Sequence, residues 1–229
     1  MAKKNEGVKN MYDLSSVLDF EALAEVRPGS SILVSGPAMT GKEKLVYDTL
    51  ADGARTGNGA VVVTTSDRGS SVVKEFHERV PGLQGAQLGV VDCRGEGGSD
   101  PGLIEGVSVH QVSSPGDLTG IGIGITKALE GLHDSGRERG RLALVSLSTM
   151  LTYTDKKTVF KFCHVLSSRL DAAGYIGVFT IDSGAHDKQT IQVIKQAFDG
   201  LIDIRDADGG GREARVLGLA DEPTDWKEI

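Results

Sequence analysis

Cysteine is nearly absent from this chain, which holds only Cys93 and Cys163 among 229 residues. Two thiols so far apart form no disulfide framework and have no metal-type spacing, so both are expected as reduced, buried small hydrophobes. Aromatic residues make up 5%, with Trp226 the only tryptophan, which excludes a stacking platform for single-stranded nucleic acid. Basic residues are outnumbered 25 to 32, for a net charge of −7. Phosphate neutralisation needs Lys and Arg in excess on some face, so non-specific nucleic-acid binding is disfavoured and DNA stays open only through a local patch. No stretch approaches the ~18 apolar residues that span a bilayer. The start, Met1-Ala2-Lys3-Lys4-Asn5-Glu6, lacks the apolar core of a signal peptide. A soluble, cytoplasmic chain without membrane insertion is the expectation.

Glycine, in contrast, is abundant at 31 of 229 residues, about twice its usual share, and signals many tight turns around an aliphatic core. The length suits one α/β domain. Residues 1–11 are polar and aperiodic and read as a flexible arm, residues 12–222 as the domain and residues 223–229 as a tail. A short amphipathic segment over Leu14–Val26 precedes Arg27-Pro28-Gly29. Buried strands are expected at Ser31–Ser35, Ala60–Thr65, Leu88–Asp92, Val107–Val112, Leu142–Leu147 and Tyr175–Ile181. Helical stripes fall between them, notably Val159, Cys163, Leu166 and Leu170, capped by Thr154 or Asp155. Gly120–Ile125 alternates with period two and suits strand or helix, and Thr126–Leu132 favours helix. Residues 94–106 hold five glycines and read as a surface loop. Leu201–Arg205 and Ala214–Leu219 flank Asp208-Gly209-Gly210-Gly211 as a terminal antiparallel hairpin. The alternation of strand and helix defines a mostly parallel sheet with helices on both faces, whose ligands sit beyond the carboxyl ends of the strands.

One motif lies at that edge. Gly36-Pro37-Ala38-Met39-Thr40-Gly41-Lys42 fits seven positions of G-x-x-x-x-G-K-[ST], directly after a buried strand and at the start of an amphipathic helix. Successive loop N–H groups and the positive helix end hold an anion, and the lysine neutralises phosphate oxygens. The eighth position is Glu43, where a hydroxyl would ligate Mg²⁺. Facing the site, that carboxylate would repel phosphate by roughly 4 kcal/mol at about 4 Å and an effective dielectric near 20. The aspartate that usually ends a later buried strand and holds the Mg²⁺ shell is also missing, because Ser146 stands there. Asp67 and Asp182, at two other strand ends, are the nearby acids that could substitute.

The P-loop after Arg27-Pro28-Gly29, the run Arg141–Leu151, and Phe198-Asp199-Gly200-Leu201-Ile202 before a glycine-rich hairpin resemble the KaiC/RadA-like branch of the RecA-type ATPases. Ser35–Lys42 and Ala214–Trp226 look similar to the small KaiC-like (HTR-like) proteins of halophilic archaea. The resemblance implies a RecA-like P-loop core with another strand between the P-loop strand and the Ser146 strand, and self-association into a homo-oligomer. It also implies ATP or ADP as ligand, held by Gly36, Pro37, Ala38, Met39, Thr40, Gly41, Lys42 and Glu43. The departures are the missing hydroxyl after Lys42, the missing aspartate at 146, a single acid in Thr65-Ser66-Asp67-Arg68, and Leu219-Ala220-Asp221-Glu222 where active members carry a Lys/Arg finger. Arg212 and Arg215 lie close by. Weak or absent hydrolysis follows, with no residue assigned as catalytic.

The remaining candidates carry less. The five histidines show no zinc spacing. His186-Asp187 suits a helix cap or a phosphate sensor, and Lys156, Lys157 and Lys161 a solvated helix face or a partner contact. Trp226 suits docking onto its own domain or an anchor for a partner. Three functions stay open: a nucleotide-sensing regulator that acts through protein partners, a working ATPase tied to DNA recombination or repair with Mg²⁺ held by Glu43, Asp67 or Asp182, and a nucleotide-free scaffold.

Overall fold

Buried aliphatic runs dictate the centre of the molecule. In the computed structural model, which describes residues 11–83, 87–95 and 106–229, every residue of β1 (Ser31–Gly36), β2 (Gly59–Thr64), β3 (Leu88–Asp92) and β5 (Gly140–Val145) is buried. Strands apolar on both faces need helices on both sides. The helices are α1 (Lys42–Arg55), α2 (Gly69–Arg79), α3 (Leu118–Asp134), α4 (Leu147–Tyr153), α5 (Lys156–Ala173) and α6 (Lys188–Lys195). The remaining strands are β4 (Ser108–Gln111), β6 (Ile176–Asp182), β7 (Gly200–Asp206), β8 (Arg212–Leu217) and β9 (Lys227–Glu228).

The sheet runs β4-β3-β2-β5-β6-β1-β7-β8-β9. All pairs from β4 to β7 are parallel, and β7–β8 and β8–β9 are antiparallel. β6 therefore lies between the P-loop strand β1 and the strand β5 that leads to Ser146, the order that the family resemblance implies. One core packs α1, α2 and residues 12–26 against the sheet, with Val46, Leu50, Phe76 and Leu23 at its centre. The other packs α3 to α6 on the opposite face, around Ile121, Leu147, Cys163 and Ile194.

The period-two stretch Gly120–Ile125 is helical, as Thr126–Leu132 favours, and the Asp117 carboxylate caps α3 by accepting from Gly120 N. Other elements differ from the sequence expectation. Leu14–Val26 is a folded strap. A Tyr12–Val26 bridge closes it around a single 3-10 turn, Glu21–Leu23. The strand expected over Leu142–Leu147 ends at Val145, where Ser146 caps α4, a helix that the near-continuous apolar run does not reveal. The arm, residues 1–11, lies outside the described residues save Met11, as does most of the 94–106 loop. Residues 223–229 dock on the hairpin. Thr224 N donates to Val216 O at 2.9 Å, β9 pairs with β8, and the Trp226 ring meets the guanidinium groups of Arg205 (4.0 Å) and Arg215 (4.5 Å).

Burial holds both thiols protonated, each pushed up to about 12. Among the described residues, no helix is long and apolar enough to cross a membrane.

Candidate functional site

The loop between β1 and α1 wraps around its own lysine. Met39 takes a left-handed conformation (φ 62°) and Gly41 another (φ 80°), so the chain reverses twice before α1 begins at Lys42. Glycine suits position 41 because it adopts positive φ without strain. Pro37 O accepts from Thr40 Oγ1 (2.9 Å) and from Lys42 Nζ. The lysine is only 1% exposed, and its ammonium lies 2.8 Å from Asp182 Oδ1, a carboxylate 28% exposed. That contact follows from the register, which places Gly36 at the end of β1 beside Asp182 at the end of β6.

The amino end of α1 is open. Side chains of Asp117, Ser146, Asp155 and Asp187 cap α3, α4, α5 and α6, and Asp92 Oδ2 accepts from Gly69 N at the start of α2. Gly41, the N-cap of α1, supplies no side-chain acceptor. Its first N–H groups carry the partial positive charge of the helix end, adjacent to a buried ammonium.

Glu43 does not share this arrangement. Half-buried on α1, it forms no ion pair among the described residues, and Lys44 pairs instead with Asp48 at 3.0 Å. Its charge acts on the β2–α2 side. The Asp67 carboxyl is held above the usual carboxylate range by desolvation first, then by repulsion from Glu75 and Glu43. The Tyr47 hydroxyl, buried below them, is pushed far up by desolvation and by the charges of Asp67 and Glu75.

The end of β5 is knit into neighbouring strands by hydroxyls. Thr65 Oγ1 donates to Val145 O (3.0 Å) and accepts from Ser146 N (2.8 Å), while Ser146 Oγ accepts from Ser148 N (3.1 Å). Ser148 Oγ accepts from Asp182 N (2.9 Å) and shares a 2.9 Å hydrogen bond with His186 Nε2. Ser146 therefore works as a strand tie and helix cap. Asp187 is the cap of α6, as one of the two sequence readings has it, and His186 is the partner of Ser148.

The sequence marks Arg212 only as lying close to the missing Lys/Arg finger, and it reaches the loop. Its Nη2 donates to Met39 O at 2.7 Å, and Nη1 lies 3.2 Å from where a Cβ on Gly41 would stand. The period of a strand could have found it, since Arg212 shares the α1 face of β8 with Ala214 and Val216, both buried in the core that α1 covers. Arg215, on the other face, pairs with Asp203 at 3.3 Å and stacks on Trp226.

The loop, the open helix end and two cations suit an anion of phosphate type. The donors do not suit Mg²⁺ at its two expected anchors, where position 43 has no hydroxyl and Ser146 is engaged in capping. Among the described residues, no group of three or more His, Cys, Asp or Glu side chains is placed to hold a metal ion.

Strand order, helices on both faces and the terminal hairpin define an α/β chain of RecA-like fold. The chain belongs to the family of unknown function DUF7504, whose model matches residues 29–204. Among solved structures it is similar to a KaiC-like protein from the hyperthermophilic archaeon Pyrococcus horikoshii. The TM-score is 0.60 at 13% identity, over 96% of this chain and 89% of the other. That likeness is one of fold. A search of curated proteins finds no match.

Proposed function

We propose that this protein is a nucleotide-sensing regulator. It binds the phosphates of ATP or ADP on Gly36, Pro37, Ala38, Met39, Thr40, Gly41 and Lys42, with Glu43 at the rim, and hydrolyses them weakly or not at all. The observation that carries this reading is the buried Lys42 ammonium at an uncapped helix end. A lysine at 1% exposure costs several kcal/mol in desolvation unless it is paired, and an entering phosphate supplies the same charge that Asp182 now supplies. In the hydroxyl-lined corner at Thr65, Ser146 and Ser148 the neighbouring carboxylate, Asp182, is engaged by Lys42 rather than left to organise a metal shell or activate water, which favours binding over turnover. The reading continues with contact to protein partners, self-association and a cytoplasmic setting, in line with the resemblance to the small KaiC-like proteins of halophilic archaea.

Calorimetric titration with ATP and ADP, first with Mg²⁺ and then with EDTA, tests it, with Lys42→Ala as control. Binding that requires Lys42 and persists in EDTA supports the sensor. Binding only with Mg²⁺, together with Lys42-dependent phosphate release faster than about 1 min⁻¹, would replace it with an ATPase whose metal shell includes Asp182. No binding by the folded protein would leave a scaffold.

A further inference from the structure

The C-terminal hairpin places a second cation over the phosphate loop of its own chain, and the residues that carry it there are all accounted for. β7 runs parallel to β1, so its end at Asp206 lies on the same sheet edge as the loop. The turn after it returns the chain as β8, whose first residue, Arg212, pairs with Asp206. Two-residue alternation then puts Arg212 on the α1 face, above Ala214 and Val216. Its guanidinium donates to Met39 O (2.7 Å) and overlies Gly41, where any side chain would meet Nη1. The opposite face of β8 is engaged elsewhere, with Glu213 on Arg205 and Arg215 on Asp203 and Trp226.

We propose that Arg212 is a phosphate-binding residue acting in cis, so that the anion site on the loop is completed within one chain by Lys42 and Arg212 together. The inference rests on the reading of the loop as a nucleotide-phosphate site. A guanidinium has five N–H donors, and the Met39 carbonyl takes one of them, orienting the fork over the loop while leaving donors for phosphate oxygens. Two fixed cations flanking one anion supply the charge neutralisation that a divalent ion gives in a magnesium-dependent site. The left-handed Met39 is part of the device, because its conformation presents the carbonyl that orients Arg212.

The test is calorimetric titration of the full-length protein with ATP in EDTA. Arg212→Ala is expected to weaken binding by about ten- to a hundredfold, the scale of a charge-assisted hydrogen bond. Arg212→Lys should recover part of the loss. Arg212→Gln keeps a donor for Met39 O but no charge, so it should bind as weakly as the alanine variant, and wild-type affinity in Arg212→Gln would reduce Arg212 to a loop support and overturn the proposal. An equimolar mixture of Lys42→Ala and Arg212→Ala chains separates cis from trans. It should stay as weak as its parts, whereas recovered tight binding would mean that Arg212 serves a neighbouring chain. If Arg212→Ala binds like wild type while Lys42→Ala does not bind, the loop site stands and the role of Arg212 falls. If wild type itself binds neither ATP nor ADP, the site reading falls first and this inference with it.

Discussion

Lys42 and Asp182 are joined by a 2.8 Å ion pair that bridges the end of β6 and the start of α1. The lysine is sealed and the carboxylate is partly open, so the pair is a buried cation with an accessible counter-ion. An anion entering the loop meets Asp182 as its competitor.

Asp182→Asn should therefore lower stability in dilute buffer by about 1–3 kcal/mol. This is less than the 3–5 kcal/mol typical of a broken buried pair, because the carboxylate is partly solvated. Added pyrophosphate should raise the melting temperature of this variant more than that of wild type, since the ligand restores the missing charge. Equal gains in thermal-shift measurements would show that the carboxylate and the anion do not share a position.

Glu43→Thr should tighten ATP binding about two- to fivefold, the worth of one partly solvated like-charge contact. The measurement is the dissociation constant with and without Mg²⁺. Unchanged affinity would mean that the carboxylate lies clear of the phosphates, and weaker binding would make it a metal ligand.

Asp67 gives a pH signature. Its folded-state carboxyl is held above the usual range by desolvation and by Glu75 and Glu43. The folded state then binds protons more readily than the unfolded chain, and stability from this group falls as pH rises through the folded value. Asp67→Asn should raise the unfolding free energy from urea titration at pH 7, by about 0.5 kcal/mol or less given its exposure, with a smaller gain near pH 4. A larger gain at pH 4 than at pH 7 would contradict the assignment.

Gly53→Ala sets helix propensity against packing. In the last turn of α1, where Gly53 lies, propensity alone should stabilise by at most roughly 0.5–1 kcal/mol. A Cβ at Gly53 would, however, stand 2.5 Å from Arg141 Nε. That guanidinium is buried and held by Asp52 (3.1 Å), Thr49 O and Asp13 O, so it cannot swing aside cheaply. A net loss of about 1–3 kcal/mol in denaturant titration is expected, on the scale of core overpacking. Net stabilisation would mean that the Arg141 network yields.

The sheet was legible because strands buried on both faces announce themselves as aliphatic runs, as in Ala60–Thr64 and Leu88–Asp92, and because Gly36–Lys42 follows one of them. Of the strand order, only the presence of a strand between β1 and β5 was legible, and that through the family resemblance, since nothing local places β6 there. Composition hid α4, because Leu147 prolongs the near-continuous apolar run of β5 past Ser146, the residue that caps the helix. The arrangement of the site was the least legible. The partner of Lys42 lies on another strand at Asp182, and that of Met39 O on the hairpin at Arg212. Contacts between residues distant in the chain leave no local pattern.

The placement of Trp226 gives the molecule an optical reporter. Its only indole lies against two guanidinium groups of the hairpin, whose second strand starts at Arg212, the residue that touches the β1–α1 loop. Indole emission responds to charges held against the ring, so any shift of that hairpin relative to Trp226 changes the colour or yield of the protein's intrinsic fluorescence. Events at the loop can thus be followed in unlabelled protein, without a dye or a second tryptophan to confuse the signal.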